Sequence, residues 1–521
     1  MTPSTKPAHE KELFGHPVGL YILFMTEMWE RFSYYGMRGI LVLYLTALTV
    51  GDNPGLGWLD AEALSLYGWY TMLVYVASIP GGIIADKLIG QKRSVMIGGF
   101  LLVAGHGILS IKALWAFYLG LALIVAGVGM LKPNISTLVG GLYPPGDERR
   151  DKGFSIFYIG INTGAALAAL VVAVVADAYG WHAGFGLAAV GMVCGQIVYL
   201  SGQKYLVTVG NPPEKNEANT DDVSMREIFR DQFTSRTPLV ITLFLGIASC
   251  LLTWFYIDDQ TVAYLLFFIF LSLVVGMMTT IYRDLRTKVE KDRYLVLLLS
   301  FVIVIVFWGA FEQAGGLMNL YAENRTDRML FGYEIPAAAF QFFNPFYIMV
   351  FAVPVANFWL WWKHRGREAS SLFKMANGVI IMGLGFVFMV FATMEYEKLG
   401  ESAVYWLALA YLFHTLGELC ASPVALSFIT KLAPVRYGAL MMGVYFAATG
   451  LGNKVAGLIG EGASEAGELN TFAGITIFCV IFGLLVMALL KPLKRLTHNA
   501  EDLKKDESRN EQEPFELADE S

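Results

Sequence analysis

Glu27-Met28-Trp29-Glu30-Arg31-Phe32-Ser33-Tyr34-Tyr35-Gly36, with Arg38 just beyond, sits inside an apolar run from about Val18 to Val50. On a helix, Glu27, Glu30, Arg31, Tyr34 and Arg38 fall at offsets of 0, 3, 4, 7 and 11, which is one face. About 20 apolar residues cross a bilayer as a helix, so the run reads as a membrane span. Two carboxylates and two guanidinium groups on one face of such a span are costly unless that face looks into a protein interior or a water-filled cavity.

The whole chain agrees with a membrane setting. Its 521 residues are 56% hydrophobic and only 16% charged, against roughly 25% charged in soluble domains. Mean hydropathy is +0.53. The net charge of −6 says little, because an acidic C-terminal tail contributes to it. No basic stripe or recognition motif points to nucleic acid. Cys194, Cys250, Cys420 and Cys479 lie in apolar runs without CxxC pairing and read as small buried hydrophobes. His414 and Glu418 share an i,i+4 spacing, but no third ligand accompanies them. Neither a metal nor an organic cofactor is expected. There is no HExxH, nucleophile elbow or phosphate-binding glycine loop, so an enzyme is not expected either. The polar first 15 residues and the length of the first apolar run argue against a cleavable signal peptide.

Apolar runs follow at roughly 17–49, 63–89, 94–111, 114–138, 153–176 and 184–206. Two more lie near 238–257 and 262–282, and six near 294–322, 333–362, 372–394, 402–430, 437–460 and 470–490. The expected fold is an all-α membrane protein of about 14 spans. Its parts are a tail over 1–15, a six-helix bundle over 16–206, a linker over 207–237, an inserted helix pair over 238–285, a second six-helix bundle over 286–496 and an acidic tail over 497–521. Residues 221–236 suggest a short amphipathic helix within the linker. Two six-span halves resemble the layout of major-facilitator transporters, which hold a site near the midplane; a channel, a receptor or a membrane enzyme is the competing reading of layout alone. Lys and Arg concentrate in alternate loops, for example Lys92 with Arg93, Arg149 with Arg150, and Arg365 with Arg367. By the positive-inside rule both termini are cytoplasmic. Arg325 and Arg328 are exceptions, lying on the acidic side.

Specific motifs then narrow the reading. Residues 81–93, with Asp86 and the Lys92-Arg93 pair, match a facilitator-superfamily loop in which Asp86 pairs with a basic group or a helix N-terminus. Glu27 to Gly36 reproduce Glu-x-x-Glu-Arg-Phe-x-Tyr-Tyr-Gly, and on this the chain resembles the proton-coupled oligopeptide transporter family. Gly127-Val128-Gly129-Met130-Leu131-Lys132-Pro133 and Phe157-Tyr158-Ile159-Gly160-Ile161-Asn162-Thr163-Gly164 resemble further motifs of that family. So do Phe311-Glu312-Gln313, Gln341-Phe342-Phe343-Asn344-Pro345 and Gly417-Glu418-Leu419-Cys420-Ala421-Ser422-Pro423. The resemblance spans roughly 17–490, and the extra helix pair is similar to that of bacterial members.

The resemblance implies a symporter that imports di- and tripeptides with protons, by alternating access, through a bacterial inner membrane. It makes Arg38 and Lys132 the clamp for the peptide carboxylate, and Arg can grip a planar carboxylate bidentately. Glu418 is implied as the partner of the peptide amine, with Lys132 and Glu418 also able to pair as a gate. Asn162 and Asn344 can donate and accept along any peptide backbone. Tyr34, Tyr35 and Tyr75 would line pockets with an apolar body and a polar tip. Glu312, paired with Arg38, is the implied proton site, and Glu27 and Glu30 beside Arg31 form a second; a purely structural ion pair is the other reading of Glu30–Arg31. Two departures stand out. Gly68 occupies the place where many mammalian members have a histidine, while His106 reads as a residue that packs or hydrogen-bonds. Tyr445 stands where the family usually has tryptophan, which keeps another anionic or zwitterionic solute open, such as nitrate or a peptide-like drug. A peptide receptor that moves nothing is the alternative from another class. The implied partners are peptides, protons and the lipid bilayer.

Overall fold

A computed structural model describes residues 11–212 and 261–500, apart from 145, 146, 148, 331, 435 and 436, and six positions between those stretches (230, 232, 234, 235, 238 and 241). The expected span over 238–257, nearly all of the linker from 213, and the acidic tail past 500 lie outside the described residues. The chain divides into two compact units: residues 1–216, 301–426 and 443–489 form one, and 217–300, 427–442 and 490–521 the other.

Among the described residues nine helices are long and apolar enough to cross a membrane. In the larger unit the chain runs through α1 (Val18–Thr46), α2 (Asp60–Val76), α3 (Ser78–Ile84), α4 (Gln91–Leu109), α5 (Leu114–Gly141), α6 (Arg149–Tyr179) and α7 (Trp181–Ser201). α1 has 29 residues, yet every stretch of it long enough to span includes at least three of Glu27, Glu30, Arg31 and Arg38. It tolerates them by packing against α6 and α7, so that all four charges are buried. Close approach makes this packing: a Cβ on Gly36 would lie 2.6 Å from Val172, the small-residue contact by which membrane helices associate.

The second expected span is not continuous. It breaks at Ala77, and a π-helical turn over Ala85–Ile89 closes it at Gly90, whose φ is +80°. Pro80 has no N–H to give to the preceding turn, which weakens the helix there. Asp86 accepts a hydrogen bond at 2.7 Å from Nε2 of Gln91, the first residue of α4. Arg149 donates to the carbonyl of Gly15, at 3.1 Å, in the turn of the N-terminal hairpin formed by β1 (Glu12–Leu13) and β2 (His16–Pro17). It contacts Glu12 at 2.9 Å and Asp147 at 2.8 Å, while His16 Nδ1 lies 2.8 Å from Tyr143 Oη. The Arg149 hydrogen bonds hold the Asp147 carboxyl below its ordinary range, and burial pushes the Tyr143 hydroxyl up to about 12.

The later part of this unit begins within α9 (Lys288–Phe311), which follows α8 (Thr261–Asp284) of the smaller unit, and continues through α10 (Leu317–Arg325), α11 (Phe343–His364) and α12 (Ser371–Leu399). It ends with α13 (Val404–Leu432), α14 (Gly438–Ala466) and α15 (Glu468–Ala488); the last turns of α13 and the first of α14 fall in the smaller unit. α9 covers Lys288–Phe311, and a 3-10 turn over Glu312–Ala314, followed by Gly315 and Gly316, separates it from α10. Paired glycines are a recognised cause of such breaks. Two-residue ladders join β3 (Thr326–Asp327) to β6 (Ser402–Ala403), and β4 (Met329–Leu330) to β5 (Tyr333–Glu334); they are too short to leave a sequence period. The two exceptional cations are neutralised here. Arg325 pairs with Glu468 at 3.4 Å and meets Tyr396 Oη, and Arg328 pairs with Glu334 at 2.8 Å.

In the smaller unit α8 (Thr261–Asp284) receives Tyr294 Oη at the carbonyl of Met278, 3.0 Å, and Tyr437 Oη at Asp284, 2.7 Å. Arg293 donates to the carbonyls of Thr497 and His498 just after α16 (Leu490–Leu496), at 3.0 and 3.1 Å.

Candidate functional site

The motif on α1 separates into two charged groups. Near the start of the helix, Arg31 Nε lies 2.9 Å from Glu27 Oε1 and 2.6 Å from Glu30 Oε2, with all three side chains buried. The i,i+4 spacing of Glu27 and Arg31 puts them on one face. Lys132, on α5, faces this cluster: Glu30, Glu27 and Arg31 are its main electrostatic neighbours. Its ammonium sits 3.7 Å from the centroid of the Tyr75 ring. The four groups carry two negative and two positive charges, so they can be buried together at far lower cost than any one alone.

Two turns farther along α1, Arg38 Nη1 donates to both carboxylate oxygens of Glu312, each at 2.9 Å. Tyr67 Oη donates to the same carboxylate at 3.1 Å, and Arg38 lies 4.9 Å from the Tyr35 ring centroid. Glu312 is 2% exposed. The break after α9 brings it here, because the backbone turns beside α1 and α2 and does not continue as a straight helix. The same region binds first-half and later elements together at the backbone. The carbonyl of Gly39 accepts from Asn319 at 2.8 Å and from Gln341 at 3.4 Å. Gly68 and Gly457 face each other so closely that a Cβ on either would lie 2.9 or 2.8 Å from the Cα of the other. That contact explains why Gly68 carries no imidazole: no side chain fits while α2 and α14 touch.

A cavity of about 210 Å³ opens beside these groups. Among the residues singled out from sequence, Tyr35, Arg38, Asn162, Glu312, Asn344 and Glu418 line it. Glu418 accepts a hydrogen bond from Asn344 Nδ2 at 2.8 Å, and Asn344 also donates to Thr415 at 3.1 Å. Asn162 gives its amide N–H to the carbonyl of Tyr158, one turn back, at 2.9 Å. Its oxygen is thus the group left for a ligand. Small side chains of α6, including Ala165, Ala169 and Ala173, form an apolar part of the lining beside Pro345 and Ile348.

Other singled-out residues are not in that lining. Glu27, Glu30 and Arg31 form the separate cluster, and Lys132 stays with Tyr75. Lys132 and Glu418 therefore have different partners in this arrangement and do not pair as a gate. Tyr34 is buried against Tyr35, ring centroids 5.5 Å apart. Tyr445 is 8% exposed and neighbours Ser422, which does line the cavity. His106 is fully buried and, among the described residues, neither ring nitrogen has a hydrogen-bond partner, which fits packing and not hydrogen bonding. His414 lies against Phe386, with ring centroids 4.4 Å apart.

Sequence reasoning missed Tyr67 as a ligand of Glu312. It also missed Tyr158, Trp308 and Tyr411 as cavity residues. Each is one aromatic among 25 tyrosines or 11 tryptophans; Tyr158 stands inside the motif over 157–164 and Tyr67 beside the anomalous Gly68, while nothing local marks Trp308 or Tyr411.

Three comparisons bear on this arrangement. The sequence model of the POT family matches residues 92–472. The chain is 35% identical over 518 residues to the peptide transporter YePEPT of Yersinia enterocolitica subsp. palearctica, covering 96% of this chain and 99% of that one. It is 35% identical to the di-/tripeptide transporter of Lactococcus lactis subsp. lactis, covering 94% and 98%. It is also similar to the crystal structure of a POT family transporter in complex with a thioalcohol-conjugated peptide, with a TM-score of 0.80, 31% identity and coverage of 94% and 98%.

Proposed function

The chain belongs to the POT family of membrane transporters, and from that premise we propose that it carries di- and tripeptides across a membrane together with protons, by alternating access. The observation that carries the reading is one cavity lined by a buried cation, Arg38, and a half-buried carboxylate, Glu418, that has no cationic partner among the described residues. A peptide presents the complementary pair of ends. Its carboxylate takes Arg38 and its amine takes Glu418, while Asn162 and Asn344 meet its backbone. Lys132, with Tyr34, Tyr35, Tyr75 and Tyr445, completes the binding region when the helices rearrange.

Charge balance supports proton coupling. The carboxylates of the candidate site, Glu27, Glu30, Glu312 and the half-buried Glu418, number four, and its cations, Arg31, Arg38 and the half-buried Lys132, number three. One proton neutralises the set, and a zwitterionic peptide leaves that balance unchanged. Protonating Glu312 removes the charge that holds Arg38 and frees it for the substrate. Glu27, Glu30 and Arg31 form the second proton-linked group. Because Arg38–Glu312, Gly39–Asn319 and Gly68–Gly457 join elements of the two six-span halves toward the far end of α1, the arrangement suits a state closed on that side. In our assignment that side is the outside of a bacterial inner membrane, with both termini cytoplasmic. The chain is organised as six spans, an inserted pair over 238–285 and six more. A nitrate-type substrate gives Glu418 nothing to do, so the peptide reading is favoured.

Uptake of labelled dialanine into proteoliposomes, with and without an inward proton gradient, tests this. Gradient-driven accumulation is expected. Binding without accumulation would replace the symporter by a receptor, and no dialanine binding would remove the peptide reading.

A further inference from the structure

The stretch Phe358-Trp359-Leu360-Trp361-Trp362-Lys363-His364-Arg365-Gly366-Arg367 takes no part in the cavity. It ends α11 and turns into the loop before α12. Its apolar side chains point outward: Phe358 is 44%, Leu360 56% and Trp361 44% exposed. On a helix able to span a membrane, these are lipid-facing residues, and tryptophan at the end of such a helix belongs at headgroup depth.

The cations behind them are exposed, yet they fold back against the tryptophan rings. Gly366, at φ +69°, ends the helix in the left-handed conformation that glycine tolerates, and its N–H reaches the carbonyl of Lys363 at 3.0 Å. This turn folds the chain back. The Arg365 guanidinium carbon sits 4.3 Å from the Trp361 ring centroid, and that of Arg367 sits 4.4 Å from Trp362. Lys374, in the first turn of α12, lies 5.4 Å from Trp359. Trp362 is itself fixed, donating from Nε1 to the carbonyl of Glu368 at 2.9 Å. Among the described residues no carboxylate is paired with Arg365 or Arg367; Glu368 accepts from the backbone N–H of Ser370 at 2.9 Å.

A guanidinium stacked on an indole is held in place by its face and keeps its edge N–H donors available. Those donors fit a phosphate bidentately. Two such groups at headgroup depth, beside Lys363 and next to outward-facing apolar side chains, match an anion attached to acyl chains. We propose that the α11–α12 turn is a binding site for an anionic phospholipid headgroup in the leaflet that this end of α11 reaches. The phosphodiester occupies the edges of Arg365 and Arg367, and the acyl chains lie along Phe358, Leu360 and Trp361.

Native mass spectrometry of the full chain in detergent, titrated with phosphatidylglycerol or with phosphatidylcholine of the same acyl chains, tests the site. Phosphatidylglycerol binds more tightly to the native protein. The double variant R365Q/R367Q binds it about tenfold more weakly, with phosphatidylcholine binding and dialanine uptake in phosphatidylcholine vesicles unchanged. Equal binding of the two lipids, or undiminished phosphatidylglycerol binding by the double variant, overturns the proposal. Excess glycerol phosphate leaves the lipid bound; displacement would mean a site for soluble phosphate and would also overturn it. If the double variant does not fold, salt decides on the native protein: phosphatidylglycerol binding falls as salt rises, and a salt-independent preference refutes the Arg-phosphate contact.

Discussion

Glu312→Gln separates coupling from binding. Arg38 Nη1 lies 2.9 Å from both Glu312 oxygens, and both side chains are buried. With charge centres about 4 Å apart and an effective dielectric constant of about 20, the attraction is about 4 kcal/mol. An incoming peptide carboxylate must compete with it. Gln keeps the shape and one acceptor, so a neutral hydrogen bond of about 1 kcal/mol remains. Up to about 3 kcal/mol of competition disappears, and even half of that is about tenfold in affinity. The variant therefore binds dialanine about tenfold more tightly than the native protein. Gradient-driven uptake in proteoliposomes collapses, while exchange of internal for external peptide continues. Isothermal titration and paired uptake and exchange assays read these out. A variant with intact driven uptake and unchanged dialanine affinity refutes the coupling role of Glu312.

Three further outcomes are expected. Glu418→Gln keeps the hydrogen bond from Asn344 but loses its charge, so dialanine binding weakens by about 1.5–3 kcal/mol while a peptide with a blocked amine is little affected; equal losses for both ligands would detach Glu418 from the amine. Gly68→Ala puts a methyl group against Gly457, where overpacking costs about 1–3 kcal/mol, so thermal stability falls and Gly457→Ala does the same; a neutral Gly68→Ala would mean that this contact is not part of the stable state. Arg149→Ala frees the β1–β2 hairpin, read as faster amide exchange over residues 12–17. Because the Asp147 carboxyl is held below 3.8, its contribution is present above that value and fades as pH falls through its lower folded value, so acid should mimic the variant; an exchange rate that ignores both changes would dismiss the latch.

The sequence made the helical membrane class legible because span length and composition are set by the bilayer, a constraint that acts residue by residue. The charged face of α1 was legible for the same reason: four charges inside one span need an interior. What sequence left out is geometry between distant segments. Nothing around Tyr67 says that its hydroxyl meets Glu312, 245 positions away. The break that delivers Glu312 was visible as Gly315 and Gly316, but glycines in membrane helices serve packing as often as bending, and Gly68 and Gly457 are of that other kind. Lys132 was assigned with Arg38 on family resemblance, whereas its neighbours here are Glu27, Glu30 and Tyr75. Its position depends on how α5 packs, which the local pattern of α5 does not encode.

That position of Lys132 bears on how one helix can serve two proton-linked groups. The cluster of Glu27, Glu30, Arg31 and Lys132 is neutral as it stands, and the Arg38–Glu312 pair is neutral beside it. Neither needs a proton while both are intact. If Lys132 leaves the cluster for a peptide carboxylate, Glu27 and Glu30 are left with Arg31 alone, and a buried carboxylate without a counter-charge takes up a proton because that costs less than remaining charged. If Arg38 leaves Glu312 for the same carboxylate, Glu312 faces the same choice. Substrate binding and proton uptake are then linked through the cations, which have two competing anionic partners. The carboxylates need not move at all. This favours Glu312 as the site that answers to substrate in the arrangement described here, since Arg38 already lines the cavity, and leaves the α1 cluster to respond only when α5 brings Lys132 within reach.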